Sequence, residues 1–317
     1  MNFINFFLSQ EVTLSSKLLE VLYICIGLTA CYCAFCNAKD QSNPHRLGTA
    51  VFWGMLGILF IAGKWLPSFV TGLCVLLLVI PVIFDKTSKG KLEKPSEVEM
   101  QYGFEKIGMK IFIPALCIGL TALCFALFTN ISSIVGVGVG VGIAILILMV
   151  MSKENRSTIF LKDARRMLDT IGPMSLLPIL LAALGAVFTA AGVGEVISTM
   201  VSHIIPSGNL VVGILVYAIG MALFTMVMGN AFAAITVMSV GIGAPFVLAL
   251  GADPTIVGSL ALTCGFCGTL ITPMAANFNM VPIAILEMKD KYGVIKKQIG
   301  VAIILLIFQI IYMIIMS

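Results

Sequence analysis

The sequence predicts an all-α polytopic membrane protein, and three observations carry that prediction. Of 317 residues, 60% are hydrophobic and only 11% charged, with a mean hydropathy of +1.10. Soluble domains carry about 25% charged residues, so this chain lacks the polar surface that water demands. Apolar runs of roughly 18 or more residues recur, the length a helix needs to cross about 30 Å of hydrocarbon. The basic residues gather between those runs. A transmembrane β-barrel would instead show alternating segments of about 10 residues. The expectation is about eight to ten transmembrane helices, with a re-entrant hairpin and two broken helices in the C-terminal half.

The elements follow in chain order. Met1 to Gln10 carries no positive charge, so no cleavable signal is expected, and Phe3, Phe6 and Phe7 fit an interfacial segment. Spans are expected at Leu19 to Cys36, Leu47 to Ala62, Ser68 to Phe84, Ile107 to Phe128 and Ser132 to Met151. They make a scaffold-like N-terminal region over residues 1–170. Lys64 and Trp65 sit in a short turn as interface anchors. Gly136, Gly138, Gly140 and Gly142 alternate as in a strand, but no open strand edge survives in lipid. In a helix they form two overlapping small-xxx-small pairs, a close-packing face.

Charge placement sets the orientation. Lys86, Lys89, Lys91, Lys94 and Lys106 form one basic group; Lys153, Arg156, Lys162, Arg165 and Arg166 form the next; Lys289, Lys291, Lys296 and Lys297 form the last. By the positive-inside rule these mark cytoplasmic loops of a bacterial-type inner-membrane protein rather than nucleic-acid patches. The loops are 37–46, 85–106, 152–170 and 287–298, which leaves both termini outside. Arg165 and Arg166 precede Asp169 by one helical turn and read as ordinary helix-surface pairing. The nine cysteines lie almost entirely in apolar runs. With no histidine beside Cys31, Cys33 and Cys36 or beside Cys264 and Cys267, they read as small buried residues, not a metal site.

From residue 171 to 317 the sequence has a transport-like character. Residues 171–206 read as a hairpin: an apolar arm interrupted by Pro173, Pro178 and Gly185, a turn near Gly192, and an amphipathic arm. That arm places Val196, Ile197, Met200, Val201, Ile204 and Ile205 on one face. An interfacial helix outside the membrane fits this pattern equally. Two polar clusters then interrupt apolar helices, around 229–234 and 268–279, before a final span at 299–315. Asparagines at bilayer depth are costly unless paired or facing a cavity. Gly, Pro and Asn together break a helix and expose amides and carbonyls that can hold a carboxylate or a cation.

The candidate substrate- or ion-binding residues are therefore Gly229, Asn230, Ala231, Thr236, Thr272, Asn277 and Asn279, with Gly268 and Pro273 as helix breakers. Glu195 is the candidate proton site, against the plainer reading of an exposed first-turn residue favoured by the helix dipole. No Lys or Arg falls inside the second-half spans, so an anion would lean on amide dipoles. Sodium coupling needs only carbonyl, Asn, Ser and Thr oxygens. No cofactor is expected. Phosphate-loop, zinc-protease and nucleophile-elbow patterns are absent, and no Asp pair sits at depth, so an enzyme is not expected.

The strings GNAFAAITVMSVGIG (Gly229 to Gly243) and GTLITPMAANFN (Gly268 to Asn279) resemble the domain of unknown function 979 family of bacterial membrane proteins. The resemblance continues through His45-Arg46-Leu47-Gly48-Thr49-Ala50 and Asp290-Lys291-Tyr292-Gly293-Val294-Ile295. The second half also resembles one repeat of the ion transporter superfamily, which includes gluconate permeases and divalent-anion/sodium symporters. That resemblance implies a hairpin tip at Ala190 to Glu195 and unwound segments at Gly229 to Ala234 and Thr272 to Asn279. Full transporters of that type hold two such repeats, and residues 1–150 contain no second hairpin, which implies a partner. The resemblance to the domain of unknown function 979 family points to a membrane subunit of the domain of unknown function 969 type as that partner, a second copy of this chain being the alternative. It also points to pyroglutamate or a related small carboxylate as substrate, through the family's association with pyroglutamyl peptidases. The expected function is a secondary permease subunit for a small organic anion. The alternatives are an uncoupled channel or facilitator, a scaffold subunit and, last, an intramembrane enzyme.

Overall fold

The computed structural model describes residues 3–90, 96–152, 156–203 and 208–317, with backbone only at Glu97, Glu99 and Pro173. Lys91, Lys94, Lys153, Ile204 and Ile205, named above, and the end of the 171–206 stretch lie outside the described residues. Every regular element among the described residues is helical. Six helical stretches there are long and apolar enough to cross a membrane: Leu14–Lys39, Met100–Phe128, Ser133–Met151, Leu210–Met228, Ala231–Leu250 and Gly293–Met316. The chain is thus a polytopic, multi-pass membrane protein. It divides into two compact units, Met1–Gly172 and Pro173–Ser317.

The first unit comprises α1 (Phe3–Leu8), α2 (Leu14–Lys39), α3 (Arg46–Ala62), α4 (Ser68–Ile83), α5 (Glu97–Ile107), α6 (Phe112–Phe128), α7 (Ser133–Met151) and α8 (Ser157–Ile171). Thr13 caps α2 by accepting the Ser16 amide at 3.3 Å. The aromatic segment α1 leans on Trp65, with the Phe3 and Trp65 rings 4.8 Å apart. Lys64 lies 3.6 Å from the Phe6 ring and 3.0 Å from the Glu20 carboxylate. Antiparallel α2 and α3 cross where Gly27 meets Gly57, and a Cβ on Gly27 would come within 2.7 Å of the Gly57 carbonyl. Antiparallel α6 and α7 approach at Gly136 and Gly140, where a Cβ would strike Ala122 and Phe125, or Thr121 and Ile118. Of the second glycine pair, Gly138 packs on Leu22 of α2, whereas Gly142 faces nothing within 4 Å. One small-xxx-small face of α7 is used in full and the other only in half.

Two expected loops are partly helical. Most of α5 falls in 85–106, and most of α8 in 152–170. Lys106 of α5 and Lys162 and Asp163 of α8 lie on solvated helix faces, whereas Arg165 and Asp169 of α8 do not.

The second unit comprises α9 (Leu176–Ala190), α10 (Val193–Ser202), α11 (Leu210–Met228), α12 (Ala231–Met238), α13 (Ala244–Phe246), α14 (Pro254–Leu270), α15 (Ala276–Ile285) and α16 (Gly293–Met316). Its core is built by Tyr217, Met221, Ala218, Ala261, Cys264 and Met313, from α11, α14 and α16. The return pass beside α11 consists of α12, a π-helical turn at Ser239–Gly243, and α13. Tyr217 Oη and Ser239 Oγ are 2.7 Å apart across this antiparallel pair. Gly185 of α9 packs against Ala233 of α12, and Gly194 of α10 against the Val237 carbonyl. Ala191 and Gly192 join α9 to α10, with Gly192 at a φ of +71°.

Candidate functional site

The site is built where the two interrupted segments of the second unit meet. The first interruption follows from Gly229, whose φ of +65° ends α11 in the left-handed region, where only glycine is unstrained. A Cβ there would also lie 2.6 Å from the Met274 carbonyl and 2.7 Å from Leu181. Asn230 then turns to an extended backbone and caps α12, its Oδ1 accepting the amides of Phe232 at 2.9 Å and Ala233 at 3.4 Å. This is the ordinary chemistry of an asparagine N-cap. Ala231 is buried against Gly265 of α14.

The second interruption spans Ile271 to Ala275, between α14 and α15. Gly268 lets α14 lie on the Ala222 carbonyl of α11, where any Cβ would clash. Thr272 reaches across: its hydroxyl donates to the Met226 carbonyl at 2.8 Å and accepts the Met274 amide at 3.2 Å. It thereby satisfies a carbonyl that the end of α11 leaves open. Asn279, fully buried, donates to the Thr269 and Thr272 carbonyls, both at 2.7 Å. One amide group thus straps the segment from behind. Pro273 is exposed on its outer side.

The structure therefore brings together Gly229, Thr272 and Met274, with Ala231, Gly268 and Asn279 packed around them. Asn277 is exposed in the first turn of α15, a helix start without a side-chain cap. Thr236 is exposed on α12, donating to the Ala233 carbonyl at 2.9 Å and lying 3.4 Å from the Thr189 hydroxyl of α9. Glu195 is exposed in the first turn of α10, away from these contacts. Two buried oxygens at the junction, Thr225 Oγ1 and Asn279 Oδ1, have no hydrogen-bond partner among the described residues. Buried polar atoms are rarely left so.

A second polar cluster, in the first unit, was missed by the sequence reading. Asp169 is not on a helix surface: its side chain is wholly buried. Its Oδ1 accepts from Asn37 Nδ2 at 2.8 Å, Trp53 Nε1 at 3.1 Å and Cys33 Sγ at 3.3 Å, while Arg165 Nε lies 3.5 Å from Oδ2. Arg165 also reaches Asp40 at 2.6 Å. Only Arg166 makes the surface pair expected, and with Asp163 at 3.2 Å rather than Asp169. The physical reason is periodicity: Asp169 shares an inward stripe of α8 with Leu161, Ala164 and Leu168, the i, i+3, i+7, i+8 pattern of a packed face. That pattern was the available signal. Hydrogen bonds from Ser42, and then the Arg165 guanidinium, hold the Asp40 carboxyl below the ordinary aspartate value. The network continues outward, since Asn43 donates to Asn37 Oδ1 at 3.2 Å and to the Ser88 carbonyl at 2.6 Å.

The family model described as Protein of unknown function (DUF979) matches residues 20–317, and the chain belongs to that family. No curated protein and no solved structure matches it.

Proposed function

We propose that this chain is a subunit of a secondary permease for a small organic anion, pyroglutamate being the first substrate to test. In this reading it lies in a bacterial inner membrane, is driven by a sodium or proton gradient, and works with a second membrane subunit. The observation that carries the reading is the meeting of the two interrupted segments, Gly229–Asn230 and Ile271–Ala275, through Gly229, Met274, Thr272 and Met226.

The chemistry follows from which atoms are committed and which are free. Asn230 and Asn279 hold the interruptions in shape, so their bonded atoms serve the backbone. The starts of α12 and α15 supply the positive ends of helix dipoles, which favour a carboxylate without any fixed cation. Asn277 is exposed in the first turn of α15, and Thr236 is exposed one turn further along α12. The orphaned oxygens of Thr225 and Asn279, with neighbouring carbonyls, are the hard donors that sodium prefers. Glu195 is the alternative proton carrier, and its exposure weighs for sodium. In the first unit the 40–45 and 85–90 segments hydrogen-bond together, and Arg165 joins them through Asp40. Three basic segments thus share one end, which supports a cytoplasmic placement for all three.

The test is uptake of radiolabelled pyroglutamate into proteoliposomes holding this chain, with and without a co-purified partner, under imposed sodium or proton gradients. Accumulation that follows one gradient and falls at least tenfold in Asn277→Ala is the expected result. Uptake that only equilibrates would mean a facilitator. No uptake of any carboxylate by the folded complex would discard the reading.

A further inference from the structure

We propose that the groove between the start of α3 and the end of α4 is a binding site for one anionic phospholipid. The groove has a volume of about 650 Å³ and carries His45, Arg46 and Lys86 at one end, with Val51, Ile80 and Phe84 as its apolar wall. Arg46 and Lys86 are exposed, and neither has an acidic partner among the described residues. Unpaired cations at the edge of an apolar wall match a phosphate placed above an acyl chain. A zwitterionic headgroup would bring its own cation to the same spot. A soluble anion would leave the wall uncovered.

The two cations are held by the fold rather than left to chance. Gly48 lies directly against the Lys86 carbonyl, where a Cβ would clash, so α3 and the segment after α4 close on each other. Thr49 Oγ1 accepts the Ser88 amide at 3.0 Å and donates to the Ser88 carbonyl at 2.9 Å. Ser88 Oγ in turn donates to Asn43 Oδ1 at 2.6 Å. The buried polar network thus fixes residues 43–49 and 86–88 relative to one another, and Arg46 and Lys86 project from the two locked pieces. Basic pockets of this kind between membrane helices bind acidic headgroups. The site stands independently of any transport by the second unit.

The test is native mass spectrometry of the full chain from mixed micelles containing equal amounts of dioleoyl phosphatidylglycerol and dioleoyl phosphatidylcholine. The wild type is expected to retain one phosphatidylglycerol in preference to phosphatidylcholine. Arg46→Gln and Lys86→Gln should each weaken retention roughly fivefold, and the pair about thirtyfold, from the usual contribution of a basic residue at an anionic surface. Val51→Trp fills the groove from the apolar side, leaves both cations in place, and should also abolish retention. Lys291→Gln, an exposed cation elsewhere, should change nothing. Equal retention of the two lipids, or undiminished retention in the Arg46/Lys86 pair and in Val51→Trp, would overturn the proposal. Displacement by millimolar glycerol 3-phosphate would overturn it in favour of a soluble phosphate.

Discussion

Asp169 shows how much depends on single residues in this chain. Its carboxylate is buried among three donors with Arg165 beside it. Removing one partner of a buried charge pair typically costs about 3–5 kcal/mol. Asp169→Ala should lower the thermal transition in detergent accordingly, whereas Asp163→Ala, at a pair whose carboxylate is exposed, should cost under about 1 kcal/mol. Asp40 adds a pH dependence of known sign. Its folded-state value is depressed by Ser42 and Arg165. The stability it contributes is therefore present above the ordinary aspartate value near 3.9 and lost as pH falls through the lower folded value. Thermal melts of wild type and Asp40→Asn should converge on acidification below about pH 4, and parallel curves would deny Asp40 this role. At Gly229, left-handed backbone and the nearby Met274 carbonyl predict that Gly229→Ala costs at least about 1–3 kcal/mol, read in the same melts.

At the scale of elements, the prediction concerns which side chains build the interruption and which face outward. Asn279→Ala removes two hydrogen bonds to buried carbonyls and should cost about 1–3 kcal/mol. Asn277→Ala touches no such bond and should leave the melt unchanged while reducing uptake. Equal destabilisation by both would show that α15 is held by its whole first turn, not by one strap. In the first unit, Gly136→Leu should separate α6 from α7, while Gly142→Leu should be tolerated, because only the former has backbone and ring atoms within reach. The glycine alternation was legible as a packing face. Which pair carries the contact was not, because that depends on where α6 and α2 lie.

For the whole molecule, the helical membrane class was legible because it needs no tertiary information. Apolar length and scarce charge suffice when the solvent is lipid. The interruptions at Gly229 and around Pro273 were legible from residue chemistry, since glycine, proline and asparagine fail as mid-helix residues for known reasons. Their meeting across Thr272 was not, because a hydroxyl's partner 46 residues away leaves no local signature. The Asp169 cluster was hidden differently. Its pattern was present in α8, but a charge on a basic segment reads as solvated until its helix is seen packed. Cysteine labelling at Lys89 and at Lys291 tests orientation, with both expected to react only from the cytoplasmic side. Labelling of either from outside would reverse the proposed topology.

The bond between Arg165 and Asp40 joins residues 125 positions apart in the chain, and that separation has a meaning in time. At roughly 5–20 residues per second of synthesis, Asp40 exists for about 6–25 s before its arginine does. During that interval Asn37 and Asp40, and Trp53 once it is made, lack the α8 groups that later satisfy them. A ribosome stalled before residue 157 would therefore hold a nascent chain whose first helices are inserted but unfinished. During uninterrupted synthesis such an intermediate persists at least until translation reaches α8, however fast the first helices pack.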